Sequence, residues 1–188
     1  LASYGITSVE NPLEVTPSTL FQVGSITKTF TGLALAMLQD AGRIDFDAPV
    51  RRYLPDFRVQ DEEASASVTV RNLVTHTSGW EGDVFTNTGL NDDALKIYVD
   101  QMAAIEQLAP PDLIYSYNNA AFAVAGRVIE VVSRMSVESF LTTRILRPLG
   151  MTHSHLLARD VINQRVVSGH MWGGERGAQV ARPWWKTR

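Results

Sequence analysis

The chain has 188 residues, of which 45% are hydrophobic and 20% are charged, a balance typical of a folded globular protein of one domain or one domain with a subdomain. The net charge is -3 and the basic residues are scattered, which disfavours a nucleic-acid-binding surface. There is no cysteine, so disulfides and thiolate metal sites are excluded, and no apolar run is long enough to span a bilayer.

The first half of the chain contains one long predicted helix. Residues 1–9 partly alternate between apolar and polar side chains and predict a strand. Apolar residues recur at helical spacing over 30–38, and Gly42 follows as a stop signal. Ser25 is therefore expected at the N-terminus of this helix, with Lys28 one turn in.

The middle of the chain is predicted to be almost entirely helical. The further helices are expected to begin near Asp47, Thr69, Asn91, Asn119 and Ser136. Residues 58–68 are polar and are expected to form an exposed loop. Beyond residue 155 the signals weaken, and the glycine-rich stretch 168–179 is expected to be a loop.

Ser25 and Lys28 form a Ser-x-x-Lys pattern at the start of the first long helix. Residues three apart share a helix face, so the lysine amine is expected within reach of the serine hydroxyl. A serine needs a base to become a nucleophile, and an uncharged lysine amine can accept its proton. The backbone N–H of Ser25 can supply half of an oxyanion hole. By chance, the same pattern often marks only a helix-capping serine and a solvated lysine.

The stretch IYSYNNAAFAVAGRVIE, residues 114–130, places Tyr117 and Asn119 just before a predicted helix. A phenol near a lysine ammonium can have a lowered pKa and shuttle protons. An asparagine amide can hydrogen-bond a lysine and a substrate carbonyl. Taken alone, a packed aromatic ring and a helix N-cap are the more common roles of these two residues.

Five stretches, in chain order, carry a family resemblance over most of residues 16–156. They are TLFQVGSITKTFTG, AGRIDFDAPVRRYLPDF, VTVRNLVTHTSGW, PPDLIYSYNNAAFAVAGRVIE and SFLTTRILRPLGMTHSHL. Together they resemble the serine β-lactamase and penicillin-binding-protein superfamily, in particular the class C β-lactamase-like branch with its esterases and D-amino-acid peptidases. The resemblance implies that Ser25 is acylated and that Lys28 and Tyr117 carry its proton. It also implies that Asn119 orients the substrate.

The same resemblance implies an α/β (α+β) fold, in which an antiparallel sheet is flanked by helices and joined to an all-helical subdomain. The helical subdomain is expected at residues 46–155, and parts of the α/β subdomain at 1–45 and 156–188. The THTSG stretch, residues 75–79, is implied to be structural rather than catalytic.

Two features depart from the family pattern. Pro111-Asp112 stands where the family usually has Pro-Gly. The family's Lys-Thr-Gly or His-x-Gly triplet, which supplies the second oxyanion donor, has no clear match. Lys186-Thr187-Arg188 lacks the glycine, and the stretch 170–173, HMWG, is misspaced. We therefore expect that this chain lacks part of the sheet at each of its two ends. A missing segment or a second chain is expected to complete the sheet.

The remaining candidates are weaker. His153 and His155 are spaced like metal ligands on a strand, but no third ligand is evident, so neither a metal nor an organic cofactor is expected. No serine lies in a G-x-S-x-G pattern, which disfavours an α/β-hydrolase triad. The tryptophans fit either a substrate cleft or core packing; they are Trp80, Trp172, Trp184 and Trp185.

The sequence predicts a β-lactamase-like serine hydrolase that acts on a small-molecule amide, β-lactam or ester, without a nucleic-acid partner. The alternative is a non-catalytic scaffold or binding fragment, because the strand that completes the oxyanion hole is not found. The family is often exported, which favours a periplasmic or secreted location, although its esterases can be cytoplasmic.

Overall fold

Six α-helices and one small sheet form the main regular structure of the described residues, 2–181, in this computed structural model. The helices are α1 (Thr27–Asp40), α2 (Glu62–Ser67), α3 (Val70–Thr75), α4 (Ala94–Gln101), α5 (Asn119–Ser133) and α6 (Val137–Leu141). A π-helical turn over Thr142–Leu146 continues α6. Strands β1 (His170–Trp172) and β2 (Ala178–Val180) pair antiparallel, with His170 opposite Val180. The helix-rich α+β architecture confirms the predicted fold class.

Short 3-10 turns link these elements. They lie at Gly24–Ile26, Val50–Arg52, Met102–Ala104, Ala158–Asp160 and Gly174–Arg176. The first of them leads directly into α1 and carries Ser25.

Helix α5 is the centre of the hydrophobic core, and it contacts α1, α3, α4 and α6. Its buried face is rich in alanine and valine, so its neighbours can approach its backbone closely. Each fully buried valine or leucine in such a core stabilises the fold by about 1.5–3 kcal/mol. The two longest helices, α1 and α5, have 14 and 15 residues. None of the helices within the described residues has the length and apolarity that a membrane crossing needs.

The expectation of an exposed loop over residues 58–68 is wrong, because this stretch contains α2. The carboxylate of Asp61 caps α2 by accepting a hydrogen bond from the backbone N–H of Ala64 at 2.7 Å. Val59, Ala64 and Val68 are buried. A helix of six residues is too short to show a clear apolar period, and its polar composition concealed it.

The two ends of the chain also differ from expectation. The predicted strand over 1–9 is absent from its described part, where Ile6 forms only an isolated bridge with Glu14. The glycine-rich stretch 168–179 forms a β-hairpin rather than a loop. Its tight turn is closed by a hydrogen bond from the N–H of Gly173 to the carbonyl of Gly177 at 2.8 Å, and glycine supplies the positive φ of 68° that Gly177 adopts.

Asp112 occupies the position where the family usually has glycine, and its backbone is left-handed, with φ of 66°. Its carboxylate compensates for this strain by accepting hydrogen bonds from the Asn72 amide at 2.5 Å and the Thr77 hydroxyl at 3.1 Å. Asn72 is buried in α3. The side chain of Asp112 therefore ties the start of the 110–118 segment to the core.

We expect Asp112→Ala to lower the free energy of unfolding by about 1–3 kcal/mol, because alanine keeps the strained backbone and leaves a buried amide proton without its acceptor. Asp112→Asn is the matched control, since asparagine tolerates the left-handed conformation and retains an acceptor. Urea unfolding of both variants measures the difference. Equal stability of the two variants would contradict the compensation.

Candidate active site

Ser25 and Lys28 lie at the beginning of α1, where the sequence predicted them. Ser25 is exposed in the 3-10 turn, and Lys28 is half-buried in the first turn of the helix. The Lys28 Nζ lies 3.1 Å from the Ser25 Oγ. The alternative that Ser25 is a helix N-cap is wrong. Ile26 occupies the N-cap position of α1, and neither the 3-10 turn nor α1 begins with a side-chain cap. The serine hydroxyl therefore faces the lysine amine.

Tyr117 reaches the same serine from the other side. Its hydroxyl donates a hydrogen bond to the Ser25 Oγ at 2.6 Å, and the Lys28 Nζ lies 4.7 Å from the centroid of its ring. The pKa of the Tyr117 phenol is lowered from its ordinary value of 10.0, chiefly by its interaction with the nearby Lys28 amine and secondly by the bond to Ser25. A lowered pKa increases the fraction of the group that is present as phenolate, the form that can accept a proton.

Asn119 holds the lysine from the start of α5. Its Oδ1 accepts a hydrogen bond from the Lys28 Nζ at 2.6 Å. The N-cap alternative for Asn119 is wrong, because the neighbouring Asn118 caps α5 by accepting a bond from the Ala121 N–H at 2.7 Å. Capping by Asn118 leaves the Asn119 amide available to the site.

A cavity of about 620 Å³ opens beside these groups. Ser25, Lys28 and Asn119 line one part of it, and apolar side chains such as Val84 and Phe122 line another. A cavity of this size and mixed lining suits a small organic molecule with its polar group at the serine.

The other sequence candidates lie outside this cluster. His155 lines the cavity, but no group of three or more histidines and carboxylates within residues 2–181 is arranged to hold a metal ion. Trp80 is fully buried against Phe57, so it is a core residue. Trp172 is 79% exposed, and Trp184 and Trp185 lie outside the described residues.

The structure describes one of the two candidate matches to the family's third triplet. His170 in β1 uses its Nε2 to accept a hydrogen bond from the Val9 N–H at 3.1 Å, which ties it to the N-terminal segment. Lys186-Thr187-Arg188 lies outside the part of the chain that the structure describes.

His76 positions the segment that carries Tyr117, a role in keeping with the structural reading of THTSG. Its Nδ1 accepts a hydrogen bond from the backbone N–H of Asn118 at 3.0 Å, and the centroid of its ring lies 4.6 Å from that of Tyr117. The pKa of His76 is lowered from 6.5, chiefly by burial and secondly by the charge of Lys28. The neutral ring keeps Nδ1 free to accept. These contacts join residues about 40 positions apart, so no local sequence pattern could have shown them.

We expect the stability of the protein to depend on the protonation of His76. Its lowered pKa means that the unfolded chain binds this proton more readily, so the stability that His76 contributes is complete above its ordinary pKa of 6.5. That contribution is lost as the pH falls through the folded-state pKa. His76→Asn retains an uncharged acceptor and tolerates the φ of 62°, so its stability should fall less in acid than that of the wild type.

Urea unfolding between about pH 7 and pH 5 measures this difference. His153→Asn removes another histidine outside the cluster and serves as the control. If the wild type and His76→Asn lose the same stability in acid, His76 does not act in this way.

The chain is similar to known proteins in sequence and in fold. The family model described as Beta-lactamase matches residues 1–188. The chain is 38% identical over 163 residues to Penicillin-binding protein 4 of Amycolatopsis lactamdurans, which covers 87% of this chain and 42% of that protein. The crystal structure of FmtA from Staphylococcus aureus is similar with a TM-score of 0.81 at 26% identity, covering 96% of this chain and 49% of FmtA.

A class C beta lactamase from Rhodobacter sphaeroides is also similar, with a TM-score of 0.69 at 29% identity, and the match covers 88% of this chain and 45% of that enzyme. The chain thus spans less than half the length of each of these three proteins. The match of the family model over the whole chain, together with the relative at 38% identity, shows that this chain belongs to the Beta-lactamase family.

Proposed function

We propose that this chain carries the nucleophile, the proton-transfer groups and a substrate-orienting residue of a serine hydrolase that works through an acyl-enzyme. One observation carries the proposal: the Ser25 Oγ lies 2.6 Å from the Tyr117 hydroxyl and 3.1 Å from the Lys28 amine. Both distances permit direct proton transfer.

In the first step the Ser25 Oγ attacks the carbonyl carbon of the substrate. As the new C–O bond forms, the serine proton passes to the Tyr117 phenolate or to the Lys28 amine. The tetrahedral intermediate then collapses, the bond to the leaving nitrogen or oxygen breaks, and the same group returns the proton to the leaving atom. The backbone N–H of Ser25 is the proposed first donor to the developing oxyanion.

In the second step water cleaves the ester between Ser25 and the acyl group, releasing the acid and restoring the hydroxyl. Asn119 is the proposed orienting residue for the substrate. Its Oδ1 accepts a hydrogen bond from the Lys28 amine. Its Nδ2 carries two hydrogens and donates one of them to the Asp83 carboxylate at 2.8 Å. The amide can therefore direct a second hydrogen toward a substrate carbonyl.

Three substrate classes fit this chemistry: β-lactams, D-amino-acid peptides and small carboxylic esters. The apolar part of the cavity supports an acyl group with an apolar side chain, which each class includes. Parallel assays of the full-length protein with nitrocefin and p-nitrophenyl butyrate distinguish the first class from the third.

We expect Ser25→Ala to abolish covalent labelling by a fluorescent penicillin or a fluorophosphonate, because alanine has no atom to acylate. Gel fluorescence and intact mass of the full-length protein measure the label. Ser67→Ala, which removes an exposed hydroxyl in α2, should label like the wild type. Unchanged labelling of Ser25→Ala would remove Ser25 from the nucleophile role.

We expect Tyr117→Phe to lower the rate of acylation by about 100- to 10,000-fold, the usual contribution of a positioned general base. The wild-type rate should rise with pH, with a midpoint below 10.0 because the pKa of Tyr117 is lowered, and this rise should vanish in the variant. Stopped-flow labelling across the pH range measures both effects. Tyr115→Phe, two residues away, is the matched control; a larger loss in that control would assign the base to Tyr115.

A non-catalytic scaffold is the alternative role for this chain. It predicts that the full-length protein is not labelled by either probe and that Ser25→Ala changes nothing. The bonds among Ser25, Lys28, Tyr117 and Asn119 favour the hydrolase, because a scaffold has no need to hold both an amine and a phenol against one exposed serine hydroxyl.

A further inference from the structure

The carboxylate of Asp83 lies at the outer end of the hydrogen bonds that lead to the nucleophile. Its Oδ1 accepts a bond from the Asn119 Nδ2 at 2.8 Å, while the Asn119 Oδ1 accepts from Lys28 at 2.6 Å. Both ends of the amide are thus engaged. We propose that Asp83 is a positioning residue that fixes the Asn119 amide with its oxygen toward Lys28, and the proposal rests on the hydrolase function above.

The chemistry of a carboxylate explains why one orientation of the Asn119 side-chain amide is more stable than the other. An ionised carboxylate can only accept hydrogen bonds, whereas a lysine amine donates them. If the Asn119 amide rotated by half a turn, its oxygen would face the Asp83 carboxylate and its N–H groups would face the donors of Lys28. Asp83 therefore makes the observed orientation favourable at both ends. Bonds to an ionised acceptor are also about twice as strong as neutral ones.

The backbone around Asp83 holds it at this place. The carbonyl of the preceding Gly82 accepts hydrogen bonds from the N–H groups of Asn119 at 3.1 Å and Ala120 at 3.0 Å. A Cβ at Gly82 would lie 2.5 Å from the Tyr117 carbonyl, so only glycine permits this close approach. The Asp83 N–H is itself bound by the Glu81 carboxylate at 3.0 Å. Segments 81–83 and 117–120 are therefore fixed in register.

The consequence falls on Lys28. Its amine is held between the Asn119 oxygen and the Ser25 Oγ, at 2.6 and 3.1 Å. Without Asp83 the amide is free to rotate, and the amine loses one of its two fixed partners. Because a displacement of about 1 Å in a catalytic group can cost about 100-fold in rate, we expect Asp83→Ala to slow acylation by about 10- to 100-fold.

A double-mutant cycle on the full-length protein tests whether Asp83 acts through Asn119. The variants are Asp83→Ala, Asn119→Ala and the two combined, and the measured quantity is the second-order rate constant for fluorophosphonate labelling. Asp83→Ala should slow the wild type but have no further effect in the Asn119→Ala background. An equal effect in both backgrounds, or no effect in the wild type, overturns the proposal.

Two further variants separate positioning from a general structural role. Asp83→Asn offers an acceptor oxygen at the same place and should recover most of the rate lost in Asp83→Ala. Asp56→Ala removes another exposed aspartate and should label like the wild type. If Asp83→Asn is as slow as Asp83→Ala, an acceptor for the Asn119 amide is not what matters.

The side-chain amide signal of Asn119 in a ¹H–¹⁵N spectrum provides a readout that does not need activity. It is assigned as the NH₂ pair that is missing in Asn119→Ala. Asp83→Ala should shift this pair and Asp56→Ala should not, and an unshifted pair overturns the proposal. A wild-type protein that is not labelled at Ser25 would overturn the hydrolase function, while the amide signal would still decide whether Asp83 orients Asn119.

Discussion

The hydroxyl of Ser25 contacts an amine from the first turn of the helix that follows it and a phenol from a residue 92 positions away, and the other features of the site hold these three groups together. A serine hydroxyl alone is a poor nucleophile, and either neighbour alone would leave it with a single route for its proton. The fold therefore has to hold the starts of two helices against each other. The 3-10 turn before α1 carries Ser25, the first turn of α1 carries Lys28, and the segment leading into α5 carries Tyr117.

The hydrophobic core holds the helices that carry the site residues in fixed positions. Helix α5 is buried along most of its length, and its small alanine side chains let α1, α3 and α4 pack close around it. Contacts from loop residues then fix the position of the segment that carries Tyr117. His76 bonds the backbone at Asn118, and Asp112 anchors the same segment to Asn72 in α3. The site is thus held by contacts on both sides of the tyrosine.

The sequence revealed those parts of the molecule that depend on local patterns. The apolar periodicity of α1 and α5 is strong because each helix buries one long face, and Ser-x-x-Lys is visible because a helix brings residues three apart together. Local sequence patterns did not predict the role of Asp83 or the hairpin of β1 and β2. Their roles arise from contacts between distant segments, or from glycines that suit a tight turn and a loop equally well.

The family resemblance added what local patterns could not, namely that Tyr117 and Asn119 join Ser25 and Lys28. It did not extend to Asp112, where the chain departs from the family, and there the structure supplies the physical reason. An aspartate can replace glycine in a left-handed position because its carboxylate finds two donors at once. Such a substitution keeps the left-handed backbone conformation and adds side-chain hydrogen bonds that glycine cannot make.

Peptide mass spectrometry of the acylated protein tests directly whether Ser25 is the nucleophile. The full-length protein is incubated with a penicillin, quenched in acid and digested, and fragment ions locate the added mass. We expect one acyl group, on Ser25, in the peptide that ends at Lys28. An adduct on any other residue would contradict it, as would a protein that stays unmodified by penicillin and by an activated ester.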